Sequence, residues 1–447
     1  MINLFDNYSK ETRDLHESLK KSGFQHPTIV IEPNGFLPDD VISPYMYFLN
    51  NKKDVERGCF FNEVKVPDFW EILGDGSSAT IKNYEKVQAR INYSKATNNR
   101  IVESVEWLDD DSNIYQIDHY DKYGNVFAKT TVDKEGKYLI STYFDNNKDE
   151  KLVENHVTGD LILTLENEPM FIFHNRVEFV NFFLRYLEFD KSTIFYNTLA
   201  NSFLVSHYST EPGKDLLFWQ EPIGDEIPGN MALILNNENH RTKKIVVPNK
   251  DTYEKIKSLL PDHQKDKIVS LGYVYDFKRS NNSRKDAFIF TNSDQIEHLE
   301  TLVQNLPEVT FRVAARTEMS PKLMSMVKYP NIVLYQNIDK ERIDYIFETS
   351  DILLDINYYT EVMSSTRRAF ENNMLVLGFS QTIHNDRYIA KDLIFDKDDV
   401  MQMISTIQDI LLNKELLENY LIKQQRQGNS LSVEEFRFIF EQTLGEL

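Results

Sequence analysis

The sequence predicts an α/β chain: two Rossmann-like domains facing a cleft, with an antiparallel β-meander inserted into the first. Three observations carry this. From Phe173 onward short apolar runs alternate with amphipathic ones, as parallel βαβ units require. Between about Cys59 and Phe173 consecutive short runs are instead rich in β-branched and aromatic residues. Within that stretch a turn sequence recurs at a step of twelve residues.

In chain order, Leu4, Leu15, Leu19 and Phe24 are scattered among charges and read as a helical opening, followed by the strand TIVIE and the breaker PNGFLPDD. The runs TIKNYEKVQARINY, RIVESVEWLD, NIYQIDHY, NVFAKTTV, KYLISTYF and DLILTL then read as meander strands. Asp121-Lys122-Tyr123-Gly124-Asn125 and Asp133-Lys134-Glu135-Gly136-Lys137 join them, and Asp145-Asn146-Asn147-Lys148 follows in phase. Glycine in the fourth position supplies the positive φ of a hairpin turn with a bulge. Next come the strands STIFYNT, DLLFWQE, MALILNN and KIVVPN, and the helix KDTYEKIKSLLP. A second half restarts at IVSLGYVY and DAFIFT. It continues with a helix over 292–306 capped by Asn292 and Gln295, VTFRVAA, NIVLYQ, ILLDIN, a short helix and LVLGF.

The expected boundaries are 1–45 with 170–262 for the N-terminal Rossmann-like domain, 46–169 for the meander and 263–430 for the C-terminal Rossmann-like domain. Residues 431–447 form a C-terminal helix packing back on the N-terminal half.

Composition narrows the partners. Lys and Arg number 50 against 70 Asp and Glu, a net charge of −20, which repels phosphate backbones and argues against nucleic acid. The single cysteine, Cys59, precludes an internal disulfide and fits a reducing cytoplasm. No apolar run approaches the roughly 18 residues of a membrane span, so any membrane association is expected to be peripheral. Walker, G-x-G-x-x-G, H-E-x-x-H and paired CxxC patterns are missing, and neither cofactor nor metal is expected.

The segments TFRVAARTEMSPKLMSMVKYPNIVLYQNIDKERIDYIFETSDILLDINYYTE and LVLGFSQTIHNDRYI resemble the C-terminal half of bacterial GT-B glycosyltransferases. With the meander, the order of textures resembles the GtfB family, stabilising partners of the catalytic GtfA subunit in the accessory-Sec O-GlcNAc transferases that modify serine-rich repeat adhesins. The resemblance implies a GT-B-like fold and a comparison of donor sites. Active relatives carry two glutamates eight residues apart, the second in E-A-x-x-x-G-x-P-V before an apolar strand. Aligned on Ala369 and Val376, this chain has Thr360 at the first and Arg368 at the second, with Asn373 for the glycine and Leu375 for the proline. Glu361 and Glu371 lie nearby but ten apart, and on a helix ten residues advance about 200° further than eight. The diphosphate cations of such enzymes are answered only by Lys278, Arg279, Arg284 and Lys285, later in the chain.

The resemblance implies a non-catalytic subunit that binds a GtfA-like catalytic O-GlcNAc transferase and its Ser/Thr-rich adhesin acceptor in the cytoplasm. Candidates for the acceptor cleft are Trp219, Tyr358, Tyr359 and Tyr388, whose flat faces suit sugars or extended peptide, together with Arg367, Arg368 and His384. His207 falls on a comparable loop. The alternative is a diverged active GT-B glycosyltransferase that uses Glu361.

Overall fold

The computed structural model describes residues 1–51, 57–96 and 100–446. Residues 52–56 and 97–99 of the expected meander, and Leu447 of the expected terminal helix, lie outside the described residues. The chain forms two compact units, Met1–Leu271 with Arg437–Leu447, and Gly272–Phe436.

The first unit holds two sheets. A seven-stranded parallel sheet runs Ile268–Ser270, Thr242–Val247, Asp215–Phe218, Ile194–Tyr196, Ile2–Phe5, Thr28–Val30, Val41–Ile42. Its buried face packs Val180, Phe183, Phe203, Met231 and Ile256 from the surrounding helices. A ten-stranded antiparallel sheet from Glu71–Gly74 to Phe171–Phe173 keeps sequence order throughout, which makes it a meander. Gly124 and Gly136 take φ of 84° and 82° at its turns, and Lys148 adopts φ 68° at the third. The repeat therefore specifies backbone shape even where glycine is lost.

The second unit is a six-stranded parallel sheet in the order Ile332–Tyr335, Thr310–Ala314, Asp286–Phe290, Ile352–Asp355, Leu375–Phe379, Ile394–Phe395. The order reverses between Asp286–Phe290 and Ile352–Asp355. Ligands of such sheets gather outside the strand carboxyl ends at that reversal.

Four elements differ from the sequence expectation. Ile2–Phe5 is an inner strand preceding the helix Lys10–Lys21, because four successive residues are buried on both faces, the signature of a parallel-sheet interior. MALILNN is a helix, Gly229–Asn236, burying Met231, Ile234 and Leu235 at helical spacing. Ile268–Ser270 pairs with Thr242–Val247 and so ends the first sheet, where it was expected to open the second half. Chain separation follows at Gly272, where a Cβ would stand 2.1 Å from the Asn429 carbonyl oxygen. The helix expected over 292–306 is confined to Leu299–Asn305. Its expected cap, Asn292, turns to Thr360 instead.

The terminal helix Val433–Gly445 contributes Phe440, fully buried, to the first unit. Its ring lies 4.7 Å from Phe24, 5.6 Å from Phe195 and 6.1 Å from Phe218, and Arg437 Nε donates to Ser22 O at 3.0 Å. Phe440→Ala is expected to destabilise this unit by about 3–5 kcal/mol, seen as a lower denaturant midpoint; an unchanged midpoint would show that the contact carries no stability.

Candidate functional site

The carboxyl end of Ile352–Asp355 organises the site. Asp355 is buried, and its Oδ2 accepts the His384 backbone N–H at 2.8 Å while Oδ1 lies 2.6 Å from His384 Nδ1. The other ring nitrogen, Nε2, lies 2.8 Å from Tyr359 O. Both nitrogens thus face acceptors, which suits the imidazolium, and the hydrogen bond it donates to Asp355 is the main cause that raises the His384 pKa. A histidine held this way fixes a loop and has no free nitrogen to act as a base.

The loop that His384 holds is conformationally unusual. Tyr359, Met363 and Ser364 have φ of 73°, 50° and 51°, a region that residues with a Cβ seldom occupy. Tyr358 hydroxyl bonds to Glu297, and Asn292 Nδ2 donates to Thr360 Oγ1 at 3.0 Å. Glu361 Oε1 accepts the Thr366 N–H at 2.9 Å and also its hydroxyl. Glu361 therefore satisfies the first turn of the helix Ser365–Glu371.

Further along that helix, Arg367 pairs with Glu371 at 2.8 Å. Arg368 pairs with Asp344 at 2.5 Å and lies over the Phe347 ring at 4.1 Å, both on the helix Lys340–Thr349. Arg368, which the resemblance sets at the second glutamate, joins two helices. Asn373 adopts φ 53° just beyond the helix end, the left-handed conformation glycine otherwise supplies, so the replacement preserves the backbone. Leu375 is buried at the start of Leu375–Phe379.

Two aromatic candidates are corrected. Trp219 and Tyr388 are 4% and 2% exposed and present no face to a ligand: the first lies in the core of its unit, the second packs on Phe370. Tyr359 is 64% exposed. His207 is stacked on Phe203 and lies 3.0 Å from His240. The structure thus seats His384 on Asp355 and against the Tyr359 carbonyl, in the loop that also carries Tyr358, Thr360 and Glu361. It leaves Trp219 in the other unit.

The basic loop is corrected too. Arg279 Nη1 binds Asp351 at 2.6 Å, and the backbone N–H of Arg284 donates to Asp351 at 2.8 Å. Asp351 precedes the strand of which Asp355 is the last residue, so these cations sit at the amino end, about 13 Å of strand from the carboxyl end. A pocket of about 240 Å³ does open at the carboxyl ends, between Asn292–Asp294 and Ala315–Leu323. Its lining includes Asp294 and Glu318 and neither Lys nor Arg, a poor match to a diphosphate. Among the described residues no three side chains are grouped to hold a metal, and no helix is long and apolar enough to cross a membrane.

Sequence reasoning missed Asp355, Asp344 and Phe347. Asp355 alone left a signal, as an acid ending a buried apolar strand.

Two parallel α/β sheets, the second with a switch point, and an antiparallel meander make up a fold of the GT-B glycosyltransferase type. The solved structure of the pneumococcal O-GlcNAc transferase GtfA with UDP and GlcNAc shares this fold, at TM-score 0.52 and 13% identity over 100% of this chain and 99% of that one. This chain belongs to the GtfB family. Family models match as the GtfB N-terminal domain over 2–48, middle domain over 70–174 and third domain over 176–259, and as the GftB/GlyA-F C-terminal domain over 287–424. It is 49% identical to the UDP-N-acetylglucosamine–peptide N-acetylglucosaminyltransferase stabilizing protein GtfB of Streptococcus gordonii, covering 100% of this chain and 99% of that protein. Identity to the protein of the same name from Streptococcus pneumoniae is 46%, with 100% of both covered. It also superposes on a chain of the crystal structure of a GtfA/B complex bound to UDP and GlcNAc at TM-score 0.94, with 49% identity and 99% of each chain covered.

Two outcomes are expected. Because the His384 pKa is raised in the fold, its contact with Asp355 stabilises fully below the unfolded value of 6.5 and fades as pH rises through the folded value. The stability difference between the protein and His384→Asn should therefore shrink above that pH, and an NMR titration of His384 should centre above 6.5; a midpoint at or below it would contradict the geometry. Arg368→Glu sets a carboxylate against Asp344 and removes the cation over Phe347, costing about 1–3 kcal/mol. Thermal melting of Arg368→Glu beside Arg368→Met checks this, with the methionine variant expected to melt closer to the parent.

Proposed function

We propose that this chain is a non-catalytic glycosyltransferase-like subunit that stabilises a GtfA-like catalytic O-GlcNAc transferase and binds its Ser/Thr-rich adhesin acceptor. One observation carries the reading: Arg368, at the place of the second donor glutamate, is engaged with Asp344 and Phe347 inside the unit. Glu361 is engaged in the first turn of the same helix, and Glu371 pairs with Arg367. A transferase needs carboxylates and cations facing the sugar nucleotide, held within about 0.5 Å of productive positions. Neither requirement is met by these contacts.

Identity across the full length to proteins named as stabilising subunits, and to a chain of a GtfA/B complex, supports the assignment of the partner. The exposed Tyr359, with Thr360 and His384 beside it, is the surface we assign to the acceptor. An extended Ser/Thr-rich chain offers backbone amides and hydroxyls, which Tyr359 and the polar loop complement without any charge on the acceptor. The single buried thiol, Cys59, fits residence in the cytoplasm.

Calorimetry and mass spectrometry together test this. The isolated chain should take up UDP-GlcNAc no better than millimolar and add no mass to a Ser-rich peptide. Adding a GtfA-like subunit should restore transfer, and the pair should co-elute with a higher melting temperature than the catalytic subunit alone. Transfer by the isolated chain would establish an active enzyme.

A further inference from the structure

The edge strand Val41–Ile42 of the seven-stranded sheet leads into the helix Pro44–Leu49, and the meander turn at 121–125 lies against them. Gly35 allows that approach, since a Cβ there would be 2.6 Å from Cα of Asp121. Lys122 fastens it: its N–H donates to Gly35 O at 2.9 Å, and its Nζ to Leu37 O at 3.0 Å and Asp39 at 2.6 Å. Enclosed by these segments is a pocket of about 210 Å³ whose apolar wall is Leu37, Val41, Ile42, Met46, Tyr47 and Tyr123.

Two polar atoms on residues lining the pocket have no hydrogen-bond partner, Ser43 Oγ and Asn51 Oδ1, and their residues are 2% and 3% exposed. Ser43 stands at the N-cap of Pro44–Leu49, yet its hydroxyl does not cap the helix. The Asn51 amide has a fixed orientation: Nδ2 donates to the Phe144 carbonyl at 2.9 Å, which can only accept, so the oxygen is the atom left over. Buried polar atoms without a partner are rare and point to something that completes them. What completes this pair must bring a donor, and the rest of the wall must be met by apolar surface.

We propose that this pocket binds an aromatic ring bearing one N–H or O–H donor, with the ring against Met46 and Tyr47 and the donor on Asn51 Oδ1. Size permits it, since a dry apolar cavity of ~150 Å³ already holds benzene. The methionine sulfur and the tyrosine edge both favour an aromatic neighbour. Indole and phenol share this chemistry, whether free or as Trp and Tyr side chains of a polypeptide.

The full chain, labelled at its methionine methyl groups, is titrated with indole, phenol, toluene and N-acetyl-tryptophanamide while the Met46 resonance is followed. Indole and phenol should shift Met46 saturably, and toluene, which lacks the donor, should bind about tenfold more weakly. Asn51→Leu should erase that preference while toluene binding persists. Ser43→Ala, which leaves both the Phe144 contact and the Asn51 oxygen in place, should keep the preference for indole over toluene. Binding of N-acetyl-tryptophanamide as tight as indole assigns the site to a polypeptide side chain, and binding of indole alone assigns it to a free ring. No saturable shift, toluene as tight as indole, or the same discrimination in Asn51→Leu overturns the proposal; a pocket satisfied by water alone would give the first of these.

Discussion

In each parallel sheet an arginine reaches a carboxylate at the amino end of an inner strand: Arg241 to Asp215 in the first and Arg279 to Asp351 in the second, both at 2.6 Å. The carboxylates are buried, and an unpaired charge there would cost several kcal/mol. Each pair also collects backbone. Asp215 accepts the Ile194 N–H at 2.7 Å, and Arg241 donates to Glu211 O at 2.6 Å. Asp351 accepts the Asn282 N–H at 3.0 Å, and Arg279 donates to Phe347 O. The amino ends of both sheets are thereby closed by fixed polar networks. Loops at the carboxyl ends are left to vary, and that is where GT-B chains place their ligands.

This division explains which parts of the sequence could be read. Meander turns were legible because Asp121, Gly124, Asp133 and Gly136 act locally: the aspartate accepts N–H groups of its own turn and the glycine supplies positive φ. Strands such as DAFIF and ILLD were legible as continuous apolar runs, which only a covered parallel sheet accepts. MALILNN was not, because five consecutive apolar residues fit either period and only neighbouring layers decide between them. The pairing of Ile268–Ser270 with the first sheet depends on chain geometry near Gly272, which no local pattern encodes.

At the site, residue types were legible and partners were not. The resemblance alone set Thr360 and Arg368 where active relatives are expected to carry glutamates. That Arg368 turns to Asp344, twenty-four residues earlier in the chain, was not legible. The basic loop shows the same limit from the other side: its composition suits a phosphate, and only the position of Asp351 reveals that Arg279 and the Arg284 backbone serve the amino end of the sheet.

A carboxylate or cation engaged in internal structure is unavailable to a ligand, and here the engagement is mutual. Glu361 completes the first turn of Ser365–Glu371, Arg368 joins that helix to its neighbour, and Asn373 ends it in the left-handed conformation. Withdrawing Glu361 toward a sugar would leave the Thr366 N–H without its acceptor, and withdrawing Arg368 would leave Asp344 without its cation. Donor chemistry and helix stability therefore compete for the same side chains. In the non-catalytic role proposed above, nothing opposes the second use. Substitutions that anchor the helix more firmly then favour a rigid carboxyl-end loop, with Tyr359 turned outward and His384 holding it from behind. Rigidity of that kind lowers the ordering cost of meeting a flexible ligand, which suits the acceptor-binding role proposed above better than a nucleotide-sugar pocket.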